Sequence, residues 1–197
     1  LLQLPYSTIR LNFEVKKVNY IFLIVLVFFC LHCKRSKIKE NKKGFSDYPY
    51  IGVIEIPAGT NKKFEYNHHN KSFECEIIDG KERIVNYLPY PGNYGFIKNT
   101  YMDPKLGGDG DALDVLIISE SIPQGRNIKI QPLAILKLLD HGEEDHKIIA
   151  IPENSGLILL NDSIPESYKE IIRTWFCNYK GPDKVTFLSW GDKKSAI

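Results

Sequence analysis

At 197 residues, 43% hydrophobic and 25% charged, the chain is long enough for one compact domain with some residues left over. The formal net charge is only +2, so no global field announces a nucleic acid or a membrane as partner. The charge is sorted instead: lysines and arginines crowd residues 34–43, and acids cluster between Asp103 and Asp145.

Four cysteines, Cys30, Cys33, Cys75 and Cys177, give no disulfide framework, and the C-x-x-C of the first two lacks the second half of a zinc site. Cys75 and Cys177 are expected to be one buried thiol each.

Residues 18–31 (VNYIFLIVLVFFCL) follow Lys16-Lys17 and precede Cys33-Lys34-Arg35. A basic stretch, an apolar core and then a cysteine form a secretory pattern, and the run is shorter than the roughly twenty residues a spanning helix needs. The pattern resembles a bacterial lipoprotein signal, with Cys33 (Cys30 second) as the lipidated residue. It departs from such signals at His32 and Phe29, where a small residue is usual, and an uncleaved membrane anchor is the alternative. The sole methionine is Met102, so residues 1–15 read as a displaced start or a partial record. Residues 34–47 (KRSKIKENKKGFSD) are polar, basic and without periodicity, which predicts a tether. The expected division is a signal segment over 1–33, the tether over 34–47 and a globular domain over 48–197. The expected location is the bacterial cell envelope, membrane-anchored on the periplasmic side, with the cytoplasm as alternative.

Residues 50–56 (YIGVIEI) are a β-rich run stopped by Pro57 and the turn-prone AGTN. Residues 63–66 and 72–78 alternate like hairpin strands, and Asp79-Gly80 closes the second with a tight turn. Residues 114–119 (DVLIIS) predict a short, wholly apolar strand, and 127–139 and 147–151 predict two more. Many short strands parted by Gly, Pro and Asp turns argue for a small closed barrel. Residues 166–180 differ. There Tyr168, Ile171, Ile172, Trp175, Phe176 and Tyr179 fall at helical spacing, and Gly181-Pro182 stops the helix. The predicted fold is mainly β with flanking helices (α+β), a barrel with a helix packed on it.

The feature that carries chemistry is Asp109-Gly110-Asp111-Ala112-Leu113-Asp114, running into the apolar strand. Three carboxylates within six residues repel one another unless a cation neutralises them. Gly110 lets the backbone turn so that Asp109 and Asp111 can face one centre. Hard oxygen donors without His or Cys beside them favour Mg²⁺, Mn²⁺ or Ca²⁺ over zinc. An EF-hand loop fits poorly, because Asp114 stands where that loop needs glycine and a strand follows. Asp140 and Asp145 form a second acidic pair, with Lys147 two residues on. Tyr90 and Tyr94, in YPGNYGF, read on their own as core aromatics with satisfied hydroxyls.

Together, YPGNYGF, DGDALDVL, D-x-x-x-x-D-x-K and a helix ending in Tyr-Lys closely resemble, in order and spacing, the soluble inorganic pyrophosphatases of family I. The resemblance extends from about Ile54 to Trp190. It implies a five-stranded OB-like barrel with flanking helices and a magnesium-dependent enzyme, with manganese as a substitute, that hydrolyses pyrophosphate to two phosphates without a covalent intermediate. It further implies Asp109, Asp111, Asp114, Asp140 and Asp145 as metal-binding acids and Glu55 and Glu65 as outer acids of the same site. Lys63, Arg83, Lys147, Tyr94, Tyr179 and Lys180 match the phosphate-holding groups, with Lys63, Arg83 and Tyr94 placed beside Asp111 in catalysis. Lys81 is the alternative to Arg83, because spacing around residues 67–86 aligns only with shifts. Asp111 matches the base that takes the proton of water. A homo-oligomer is implied, and a membrane contact only through the N-terminal segment.

Three departures stand out: Ala112 in place of a frequent proline, expected to point away from the acids; a long loop over residues 101–108; and an end soon after Trp190, where relatives continue into another helix. A phosphate- or oligonucleotide-binding barrel and a calcium-stabilised structural protein are the other classes considered. The acidic central motif disfavours nucleic acid, and the Lys, Arg and Tyr partners disfavour a purely structural role.

Overall fold

The computed structural model describes residues 50–157 and 163–196. The expected signal, Cys30, Cys33 and the tether lie outside the described residues.

The first strand, β1 (Ile51–Ile56), is followed by two small hairpins, β2 (Phe64–Asn67) with β3 (Ser72–Cys75) and β4 (Ile77–Ile78) with β5 (Lys81–Glu82). The predicted strand over 72–78 is therefore split at Glu76. Asp79 and Gly80, at φ 51° and 75°, form the left-handed turn of the second hairpin. Then come β6 (Asn93–Ile97), β7 (Asp114–Ile117), the long β8 (Asn127–Asp140), β9 (Glu143–Glu144), β10 (Lys147–Pro152), the helix α1 (Glu166–Asn178) and β11 (Val185–Gly191).

Pairings run β1–β6–β7–β10–β8 and return from β8 to β1, making a ring of five strands, with β11 on the outer edge of β8. Among the described residues, only β7 and β10 pair in parallel. The wholly apolar strand sequences follow from burial on both faces. Val115, Ile117, Ile148 and Ala150 join Ile54, Ile97, Ile130 and Ile135 in one cluster drawn from all five strands of the ring. Their neighbours Leu116, Ile149 and Ile151 face the other way, into a cluster with Ile172, Trp175 and Phe176 of α1. Each of those three helix side chains contributes roughly 2 kcal/mol by leaving water. Tyr168 and Ile171 lie on the exposed face of α1, so the apolar stripe is narrower than its spacing predicted.

Two irregularities shape the ring. In β1 the register shifts between Ile54 and Ile56, which places these residues in different clusters although they are two apart. The extra residue is Glu55. In β8, Pro132 is accommodated where the register against β10 shifts, between Ile149 and Ala150. Strands β6 and β11 were not predicted. β6 hides in the Pro- and Gly-rich YPGNYGF because Gly95 is a packing requirement: a Cβ there would lie 1.9 Å from the Val53 carbonyl oxygen. Cys75 and Cys177 are half-buried, not buried, since both sit on elements at the rim of the core. Among the described residues no helix is long and apolar enough to cross a membrane.

Candidate active site

A cleft of about 340 Å³ opens where β7 and β10 begin, β8 ends and α1 terminates. Every residue singled out from the sequence for the site lines it. A larger cavity, beside Trp190, carries a single carboxylate, Asp192, among its lining residues.

The strand ends set the deepest layer. Asp114 opens β7 and Lys147 opens β10, and parallel pairing of these strands sets the two side by side. The Lys147 ammonium is ion-paired to Asp114 and to Asp145. Tyr94, on the neighbouring β6, donates its hydroxyl to Asp114 Oδ2 at 2.6 Å. At the far end of β8, Lys180 is ion-paired to Asp140 Oδ2, while His141 Nδ1 lies 2.8 Å from Oδ1. Lys180 reaches this point because α1 stops at Asn178, with Tyr179 as its C-cap and Gly181 left-handed at φ 101°.

The loop over 101–113 supplies Asp109 and Asp111. The Asp111 N–H donates to Asp109 Oδ1 at 2.9 Å, and Gly110 turns the chain at φ 90°. Ala112 is among the residues that line the cleft. On the opposite wall the bulge aims Glu55 into the cleft, where its Oε1 accepts the Tyr66 N–H at 2.7 Å. Lys63 pairs with Glu65 at 2.9 Å, and Arg83 with Glu76 at 2.7 Å. Arg83 lines the cleft, whereas Lys81 is exposed on β5 and absent from the lining.

Burial and charge together set the titration behaviour. Burial pushes the Glu55 carboxyl up to about 7, against the Tyr66 hydrogen bond and Lys63. The partial desolvation of Asp111, exposed though it is on its loop, raises its pKa too, helped by Asp109, Asp114 and Glu65. Burial also opposes the charge of Asp140, yet Lys180 and His141 hold its carboxyl below the usual range. It opposes the charge of Lys147 as well, and there Asp114 and Asp145 win, keeping it a cation. Burial first, then the surrounding acids, keeps Tyr94 and Tyr179 protonated donors.

Eight carboxylates and four lysine or arginine side chains line the cleft, which leaves an uncompensated negative charge of four. Among the described residues no three acids are grouped closely enough to hold an ion, because Lys147 and Lys180 stand between them. The donor set nevertheless fits hard divalent cations: oxygen ligands of high charge, two of them, Glu55 and Asp111, with pKa raised chiefly by burial.

Tyr66, His68, Glu76 and Phe96 also line the cleft and were not singled out from the sequence. Tyr66 and His68 follow Glu65 at the first and third positions, a signal readable only once Glu65 is placed. Tyr90 packs 5.3 Å from Tyr94 between ring centroids, and its buried hydroxyl finds no partner among the described residues, so the expectation of a satisfied hydroxyl is not met there.

Known proteins resemble this chain in sequence and in fold. Residues 52–197 match the family model described as inorganic pyrophosphatase. The chain is 37% identical over 155 residues to the inorganic pyrophosphatase of Leifsonia xyli subsp. xyli, covering 75% of this chain and 88% of that one. Among solved structures, that of the inorganic pyrophosphatase from Thermus thermophilus aligns with a TM-score of 0.63 at 28% identity, over 74% of this chain and 83% of that one. A truncated Trypanosoma cruzi vacuolar soluble pyrophosphatase, solved in complex with PPi, aligns with a TM-score of 0.68 at 25% identity, over 75% and 64% respectively.

Proposed function

Because this chain belongs to the inorganic pyrophosphatase family, we propose that the cleft at the end of its barrel is where pyrophosphate is hydrolysed to two phosphates. The enzyme depends on a divalent metal; magnesium is the proposed ion, on the strength of an all-oxygen, carboxylate-rich lining.

Pyrophosphate is a polyanion that repels a nucleophile. When bound, magnesium supplies positive charge against that of the substrate and makes water in the cleft more acidic. Asp109, Asp111, Asp114, Asp140 and Asp145 are the proposed cation-holding groups, with Glu55 and Glu65 behind them. Lys63, Arg83, Lys147 and Lys180 hold phosphate oxygens by charge, and Tyr94 and Tyr179 by donating hydroxyl protons. Asp111, a carboxylate lining the cleft, takes the proton of the attacking water. The water oxygen bonds to one phosphorus in line with the bridging oxygen, the bridging P–O bond breaks, and its electron pair leaves with the second phosphate. Cationic side chains stabilise that departing charge. No protein group bonds to phosphorus.

The observation that carries this reading is the convergence of acids from four strands and three loops with Lys147, Arg83 and Lys180 on one cleft. The test is phosphate release from pyrophosphate by the purified domain, with and without Mg²⁺. Release should require the cation, and release undiminished by a chelator would overturn the reading.

The division into a signal over 1–33, a tether over 34–47 and a catalytic domain over 48–197 is proposed as well. The sequence pattern through Cys33 supports membrane attachment in the cell envelope. Exposed Leu88, Tyr168 and Ile171 support assembly of several copies.

A further inference from the structure

The β4–β5 hairpin separates Glu76 from Arg83 in sequence, and the fold reunites them. Three backbone hydrogen bonds lace Lys63, Glu76 and Arg83 together. The Lys63 N–H donates to the Arg83 carbonyl at 3.0 Å, the Glu76 N–H to the Lys63 carbonyl at 2.8 Å, and the Arg83 N–H to the Glu76 carbonyl at 2.7 Å. All three side chains line the cleft. Beyond this junction, Arg83 Nη1 donates to Glu76 Oε2 at 2.7 Å, and the two side chains are 26% and 28% exposed.

A further carboxylate in this cleft needs a reason, because the substrate is an anion and the lining already carries excess negative charge. Glu76 is engaged with Arg83, whereas Asp109 and Asp111 make no ion pair among the described contacts. It occupies one of the five guanidinium N–H groups and leaves the rest available to phosphate. A half-exposed arginine without such a partner samples many rotamers, and fixing one on binding costs conformational entropy. Anchored at both ends, by the backbone junction and by Glu76, the guanidinium is ordered before substrate arrives.

We propose that Glu76 is a positioning residue: it holds the Arg83 guanidinium in the orientation that receives a phosphate of pyrophosphate. This role rests on the reading of Arg83 as a phosphate-holding group, and it acts on substrate binding more than on the chemical step.

The test is steady-state kinetics on the Mg²⁺-loaded enzyme for wild type, Glu76→Ala, Glu76→Gln, Arg83→Ala and the Glu76→Ala/Arg83→Ala double variant, with thermal unfolding of each. Glu76→Ala should raise KM about threefold to tenfold with kcat within about twofold of wild type, the signature of lost binding. Glu76→Gln, which keeps the hydrogen bond without the charge, should recover part of the loss. The double variant should match Arg83→Ala in KM, because without the guanidinium there is nothing to position. An unchanged or lowered KM in Glu76→Ala, or effects that multiply in the double variant, would overturn the role. Should Glu76→Ala fail to fold, a wild-type KM in Glu76→Gln overturns it, and a KM raised about twofold or more supports it. If Arg83→Ala itself leaves KM unchanged, the assignment of Arg83 fails first, and the two failures are told apart by that single variant.

Discussion

The Tyr94 hydroxyl and the Lys147 ammonium converge on the same oxygen, Oδ2 of Asp114. Three adjacent strands, β6, β7 and β10, each contribute one of these groups, so their relative positions are fixed by backbone pairing. Tyr94 also carries Lys63 and Lys147 near its ring, at 5.9 and 5.8 Å from the centroid. A single phenol thereby touches one acid and borders two cations.

Tyr94→Phe removes one donor to Asp114 and leaves Lys147 in place. The protein should fold, and kcat/KM should fall about tenfold, as expected for one charge-assisted hydrogen bond. Steady-state kinetics beside a melting curve checks it, and an unaltered kcat/KM would remove Tyr94 from the site.

Asp111 is exposed on its loop and makes no ion pair among the described contacts, so Asp111→Asn should leave the fold intact. Turnover should fall on the order of a hundredfold or more, a loss typical of a general base. Near-normal kcat would show that another group takes the proton.

Lys147 is 3% exposed at its side chain and neutralises two carboxylates. Lys147→Gln should destabilise the metal-free protein by about 3 kcal/mol, because two half-buried acids lose their counter-charge. Lys147 is held above the ordinary lysine value, so its contribution is fully present below that value and is lost only at higher pH. The deficit should therefore be flat from about pH 6 to 9. Urea unfolding measures it, and saturating Mg²⁺ should narrow it by taking over the neutralisation.

Glu55 titrates near 7 in the folded protein against an ordinary 4.5. The native state then binds more protons than the unfolded state between these values, so metal-free stability is full below 4.5 and falls as pH rises through 7. The span corresponds to ~3 kcal/mol at most. Glu55→Gln should flatten that slope, as should Mg²⁺ added to wild type. Equal slopes in wild type and variant would assign the effect elsewhere.

Cys33→Ser should move the enzyme from the membrane fraction to the soluble one, with the mature N-terminus identified by mass. A multiply acylated cysteine gives stable anchoring where a single chain does not. Soluble wild type retaining residues 18–31 would sink the lipoprotein assignment, and membrane-bound protein retaining them would favour the uncleaved anchor.

Much of the site was legible in the sequence because its acids are crowded. Asp109, Asp111 and Asp114 stand within six residues, and like charges so close demand an explanation in any fold. The strands through DVLII and KIIAI were legible for a similar reason, since burial on both faces leaves an unbroken apolar run. β6 was not, because close packing on β1 demanded Gly95 where a β-branched residue would have signalled a strand. The apolar stripe of α1 was overread at Tyr168 and Ile171, because periodicity reports what a face could bury and not whether anything covers it.

By itself, the sequence determined the ring strands that are continuous apolar runs, the central helix, the acid-rich turn and the pattern that resembles the family. Those properties are local, set by residue type and by spacing within about a dozen positions. Tertiary packing settles that Glu55 turns inward at a bulge, that Arg83 and not Lys81 faces the cleft, and that Glu76 pairs with Arg83. Each depends on register between strands far apart in the chain, where a shift of one residue exchanges inside for outside.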